Sequence, residues 1–161
     1  MLVSDKVICI LSLSLNLFPL SYILALSVVA SCKDTSDAEE QTIYSPNYPS
    51  SYLHSKHCTW KISAPIGKRL KLDSFSYRIE DHSSCTYDSL KIYDGPNSHS
   101  SRKARLCGYS TYHATESTGN HLYLKFDSDG STSSKGFKIH YSILGISFFN
   151  KLFKYSLYIT V

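Results

Sequence analysis

Strict alternation of apolar and polar residues recurs in five stretches of this chain, and a repeat of two residues admits only β-strands. Trp60, Ile62 and Ala64 share one face of "TWKISAP", and Leu70 and Leu72 share one in "KRLKLDSF". The same pattern places Leu90 and Ile92 together in "DSLKIYDG", Leu122, Leu124 and Phe126 in "HLYLKFDSD", and Phe137, Ile139 and Tyr141 in "GFKIHYSI". Turn chemistry separates these runs, at Pro65-Ile66-Gly67, Gly95-Pro96-Asn97, Gly119-Asn120 and Asp129-Gly130. Earlier, "SPNYPSSY" from Ser45 to Tyr52 combines two prolines with an asparagine and paired serines, which fixes turns and forbids helix. One apolar face per strand requires two sheets facing each other. The expectation is an all-β chain, an antiparallel β-sandwich of about 110 residues whose core is made of the residues just named.

The first thirty residues set a single Lys6 ahead of a long apolar run that ends with Val28 and Ala30 at the −3 and −1 positions of a cleavage site. This predicts a signal peptide over residues 1–30, cut near Ala30-Ser31, with secretion as the consequence. A signal anchor is the competing reading; Asn16, Pro19 and the serines make the run a poor permanent span. Cys9 leaves with the peptide, so Cys32, Cys58, Cys85 and Cys107 remain of the five cysteines. An even number in an oxidising compartment implies two disulfides, for which spacing leaves all three pairings open. Sequential pairing would close loops of roughly 20 to 30 residues, each worth on the order of 3 kcal/mol. A four-cysteine zinc site is disfavoured because no C-x2-C pair brings two thiolates together. The residues 144–161, "LGISFFNKLFKYSLYITV" from Leu144, break the alternation and are left as a C-terminal tail of unassigned structure, with Asn150, Lys151 and Lys154 opposing a membrane span.

Net charge is mild at +4, with small basic groups at Lys68-Arg69-Lys71 and Arg102-Lys103-Arg105 that read as solvated surface, and no nucleic-acid partner is expected. Enzymatic chemistry finds no foothold. The chain has no G-x-S-x-G, no H-E-x-x-H and no glycine-rich phosphate loop, and its nearest histidine pair, His54 and His57, sits in a turn-rich segment. A glycosidase-like carboxylate pair would need a cleft that a compact sandwich does not offer. The acids suit a hard cation better. Glu80 ends one strand, Asp88 opens the next, and Asp129 in "FDSDGS" ends a third, followed by a glycine that permits a tight turn.

Taken in order, "YSPNYPSSY", "CTWKISAP", "IEDHSSCTYDSLKIYDG", "LCGY" and "NHLYLKFDSDGSTSSKGFKIHY" closely resemble a CUB domain, the extracellular module of complement-initiating proteases, tolloid-type metalloproteases, neuropilins, cubilin and spermadhesins. The match spans residues 32–143, with Lys33-Asp34 standing where the family usually has Gly-Gly. The resemblance implies a jelly-roll sandwich with disulfides Cys32–Cys58 and Cys85–Cys107. It implies calcium held by Glu80, Asp88 and Asp129, and a partner site lined by Tyr87. The expected function is therefore that of a secreted, non-catalytic module that binds an extracellular protein through an exposed lysine or arginine in a calcium-dependent way. Two alternatives remain, an exosite module within a larger tolloid-type or complement-type protease, and a spermadhesin-like carbohydrate- or surface-binding protein.

Overall fold

The computed structural model describes residues 27–30, 32, 36–37 and 41–144. Twelve strands account for its regular structure: β1 (Ser27–Ala30), β2 (Ser36–Asp37), β3 (Thr42–Tyr44), β4 (His57–Ser63), β5 (Arg69–Leu72), β6 (Phe75–Ile79), β7 (Ser89–Asp94), β8 (Ser101–Leu106), β9 (Gly108–Tyr112), β10 (Thr115–Glu116), β11 (His121–Asp127) and β12 (Gly136–Leu144). Among the described residues there is no helix, and so none long and apolar enough to cross a membrane.

The strands form two antiparallel sheets. One runs in the order β1-β4-β11-β7-β8. The other runs β10-β5-β12-β3-β2, and β6 joins it by pairing with both β12 and β9. Every inward residue expected from the alternation is buried: Trp60, Ile62 and Ala64 on β4 and the turn after it, Leu122, Leu124 and Phe126 on β11, Leu90 and Ile92 on β7, Leu70 and Leu72 on β5, and Phe137, Ile139 and Tyr141 on β12. They belong to one continuous apolar cluster between the sheets, the arrangement that lets each strand bury a single face.

The five alternating runs leave out β6, of which only the end at Glu80 was expected, and β8 and β9. On β6 the inward residues Phe75, Tyr77 and Ile79 are buried, whereas β8 and β9 are mostly exposed along both faces. Tail residue Leu144 proves to be the last residue of β12, opposite Arg69 on β5, and residues 145–161 lie outside the described part. The segment expected to be a signal peptide also lies outside it, except for β1, whose backbone pairs with β4 from Ser27↔Ser63 to Ala30↔Trp60.

The disulfides are Cys32–Cys58 and Cys85–Cys107, the pairing implied by the family resemblance. The first fixes the chain ahead of β3 to the start of β4. The second ties the β6–β7 loop to the junction of β8 and β9.

The proline turn is held against the start of β12. Ser45 N–H donates to the Phe137 carbonyl at 3.0 Å, Phe137 N–H donates to Ser45 Oγ at 3.1 Å, and Tyr52 N–H donates to the Ser134 carbonyl at 2.9 Å. Gly136 makes this approach possible. Its φ is +80°, and a Cβ there would lie 2.6 Å from Ser45 Cβ, so both conformation and space require glycine. The consequence is positional, because Tyr52 is carried to the end of the sandwich where the acids lie.

Candidate metal centre

Three strand ends converge there. Glu80 directly follows β6, Asp88 directly precedes β7, and Asp129 lies just beyond β11. One carboxylate oxygen from each lies within 4.8 Å of the others, as the sequence expectation required. Their environments differ. Asp88 is fully buried, while Glu80 and Asp129 are half-buried.

Tyr52 organises the cluster. Its hydroxyl donates to Asp88 Oδ2 at 2.5 Å and accepts the Glu80 backbone N–H at 3.0 Å. Burial, and then the hydrogen bond to Asp88, push the Tyr52 hydroxyl well above its ordinary value, so it remains a proton-bearing donor. The other Asp88 oxygen, Oδ1, accepts the Asp129 N–H at 2.8 Å. Asp129 Oδ1 in turn accepts the Ser131 N–H at 2.8 Å, which orients its carboxylate. The turn is fastened to the segment after Tyr52, since Ser55 N–H donates to the Asp129 carbonyl at 2.6 Å and Ser128 Oγ donates to the Leu53 carbonyl at 2.8 Å.

One atom is left over. Glu80 Oε2 is buried and has no hydrogen-bond partner. A buried carboxylate oxygen without a donor is costly, and here it belongs to the same acid cluster. Three carboxylates form an all-oxygen donor set suited to Ca²⁺, whose remaining ligands are ordinarily carbonyls and water. The residues therefore fit the ion that the sequence suggested.

Tyr87, the expected partner-site residue, is half exposed beside Asp88. Its ring lies 4.3 Å from that of His82. His82 orders the loop, with Nδ1 accepting the N–H of Ser84 at 3.2 Å and of Thr86 at 3.4 Å. Tyr87 and Asp129 border the same shallow depression of about 390 Å³, which extends over Lys91, Arg105, Lys125 and Asp127. Sequence reasoning missed Tyr52 and His82. Tyr52 looked like part of a turn, and only its spatial approach to Asp88 reveals its role.

A second acid beside the depression is ion-paired. Asp127 meets Lys91 at 2.9 Å, His57 at 3.0 Å and Lys125 at 3.2 Å. Burial works to raise its carboxyl, but the hydrogen bonds from Lys91, His57 and Lys125, with the charge of Lys91, outweigh it and hold Asp127 below the ordinary carboxylate range. A depressed folded-state pKa contributes stability that is present above the unfolded value, near pH 3.9, and is lost as pH falls through the folded value. The stability gap between wild type and Asp127→Asn is therefore expected to be full above about pH 4 and to close below it. Urea unfolding of both proteins across that range measures it, and a gap that widens in acid contradicts the assignment.

A family model described as "CUB domain" matches residues 32–141. The chain belongs to the CUB domain family. Mouse tolloid-like protein 2 is 44% identical over 107 residues, covering 66% of this chain and 10% of that protein. The chain thus spans about a tenth of the length of the tolloid-like relatives it matches. Among solved structures, the full extracellular region of zebrafish Gpr126/Adgrg6 aligns with a TM-score of 0.59 and 32% identity, over 65% of this chain and 14% of that one. The MASP-1 CUB2 domain bound to Ca²⁺ aligns with a TM-score of 0.55 and 30% identity, over 62% of this CUB chain and 88% of its own length.

Proposed function

We propose that this CUB domain is a secreted, non-catalytic module that binds an extracellular protein in a calcium-dependent way. The buried, unpartnered Glu80 Oε2 beside Asp88 and Asp129 carries the reading, because a cation would satisfy this orphaned acceptor within an acid cluster. The Ca²⁺-bound MASP-1 neighbour supports the choice of ion, and the extracellular Gpr126 neighbour supports the compartment.

Glu80, Asp88 and Asp129 would hold the ion, which supplies fixed positive charge that orders the three strand ends. Three carboxylates leave about one net negative charge beside a divalent ion. An ammonium or guanidinium from a partner suits that remainder, with the exposed Tyr87 ring supporting its apolar stem. Calorimetric titration of the full chain with Ca²⁺ tests the first step, with Asp129→Ala expected to abolish the heat. Binding of a lysine-bearing peptide tests the second. It is expected only in calcium and weaker at raised salt. Equal binding of that peptide in calcium and in chelator would overturn the lysine step, and a flat titration would overturn the metal site.

The similarity to the tolloid-like proteins supports a second reading, in which the module is an exosite within a larger extracellular protease. Sequencing the full transcript decides it, since a protease domain in the same reading frame would establish this second arrangement.

A further inference from the structure

Beside the calcium end, a row of cations crosses three strands. Antiparallel register sets Lys125 on β11 opposite Lys91 on β7, and Lys91 opposite Arg105 on β8. Residues directly opposite share a face, and like charges placed in this way destabilise a sheet. Asp127 offsets part of the row, since it pairs with both Lys91 and Lys125. Three cations against that one carboxylate still leave a surplus of two positive charges.

Arg105 is the member left open. It is exposed and has no carboxylate partner among the described residues. Its guanidinium is nonetheless held in place, because it donates at 2.6 Å to the Cys85 carbonyl, and Cys85 is tied by its disulfide to Cys107. That bond uses one of the five N–H donors of an arginine and orients the others. A fixed, planar fork with donors to spare fits a carboxylate through two parallel hydrogen bonds.

The row and the calcium end open onto one surface. Tyr87 and Asp129 border the same depression as Lys91, Lys125 and Arg105. Asp129 stands four residues after Lys125, and Tyr87 four before Lys91, a span of about 13 Å at 3.3 Å per strand residue. With a divalent ion in place the acid cluster keeps about one net negative charge. The depression is therefore negative at one end and positive at the other.

We propose that it takes a dipolar segment of the partner protein, in which a carboxylate on the same side of the chain as the lysine or arginine docks on Arg105. The proposal rests on the calcium-dependent lysine reading above and adds a second determinant of which partner is accepted. In an extended segment, residues two apart face the same way and lie about 7 Å from each other. The lysine stem, lying over Tyr87, covers the rest of the span, so an acid two residues from the lysine reaches the fork. A segment with a second cation in the acid's place meets the row with like charge.

The test is calorimetry of the full chain, in calcium, with three blocked peptides. Each has a central lysine and, two positions to either side of it, glutamate, glutamine or lysine. The glutamate peptide is expected to bind at least about tenfold more tightly than the glutamine peptide, with the lysine peptide weakest. Arg105→Gln should shrink the glutamate preference to about threefold or less, while Arg69→Gln, which removes the same charge from the other sheet, should keep it. The preference is a ratio within one protein, so a general loosening of the calcium end cancels from it. Equal affinity of the glutamate and glutamine peptides for the wild type, or an undiminished preference in Arg105→Gln, would overturn the proposal. So would a glutamate peptide without its lysine that binds as tightly as the complete one, because the surface would then be a simple anion site. If the glutamine peptide binds in calcium and not in chelator, loss of the glutamate preference removes this inference alone. If none of the three peptides binds while the calcium titration is intact, the lysine step fails and this proposal with it.

Discussion

Trp60→Ala is expected to cost roughly 3 to 5 kcal/mol of stability, against about 5 to 15 kcal/mol for a whole domain of this kind. Trp60 is fully buried on β4, opposite Leu124 on β11, so truncation leaves a cavity between sheets that cannot close without shifting strands. Its ring meets Phe137 edge-on at 5.9 Å, Phe137 meets Phe126 at 5.6 Å, and Phe126 meets Tyr52 at 5.1 Å. Such edge-to-face pairs contribute beyond their buried area, and this series ends at the tyrosine whose hydroxyl holds Asp88. Loss of Trp60 should therefore loosen the calcium end as well as the core. Thermal unfolding followed by circular dichroism should show a midpoint lowered by roughly 10 to 20 °C, and Trp60→Phe should recover part of it. Because Trp60 is the sole tryptophan, wild-type emission reports its surroundings directly. A solvent-exposed emission maximum in the folded protein, or an unchanged midpoint in the alanine variant, would contradict this account.

Alternation exposed the central strands because each has one buried and one open face. β4 and β11 read in this way along their whole length. β8 and β9 escape because strands with little buried surface need no apolar repeat. On β6, Phe75, Tyr77 and Ile79 alternate with Ser76 and Arg78, and the strand was legible only through its end at Glu80. The acids Glu80, Asp88 and Asp129 were legible through their places at strand ends. What links them was not, because Tyr52 reaches Asp88 across 36 residues of sequence. Register is equally hidden. Lys61, Lys91, Lys125, Arg102 and Arg105 come onto one sheet only once β11 is known to lie between β4 and β7, and Arg102-Lys103-Arg105 alone reads as solvated surface.

Asp88→Ala is expected to lower calcium affinity by at least about 100-fold, given that even residues supporting a ligand are worth about 10- to 100-fold. Asp88 is the fully buried member of the cluster, and it also serves as acceptor for the Tyr52 hydroxyl and the Asp129 N–H. Removing it takes a ligand from the ion and strands the buried Tyr52 hydroxyl and the part-buried Asp129 N–H, at about 1 to 3 kcal/mol for a buried donor. An opposing effect operates without metal. Crowded carboxylates repel, so deleting one relieves strain of similar order. Stability differences should consequently depend on calcium. In chelator the two effects largely cancel and the variant should unfold near the wild type. In calcium at 100 times the dissociation constant the wild type gains about 2.7 kcal/mol that the variant cannot. Tyr52→Phe separates the roles, since it keeps all three carboxylates and removes only the hydroxyl that positions Asp88. Its calcium affinity should fall by about 10- to 100-fold. Unfolding midpoints for wild type and both variants, each with and without calcium, make the comparison. A calcium-induced rise in the Asp88→Ala midpoint equal to that of the wild type would show that the ion, if bound, is held elsewhere.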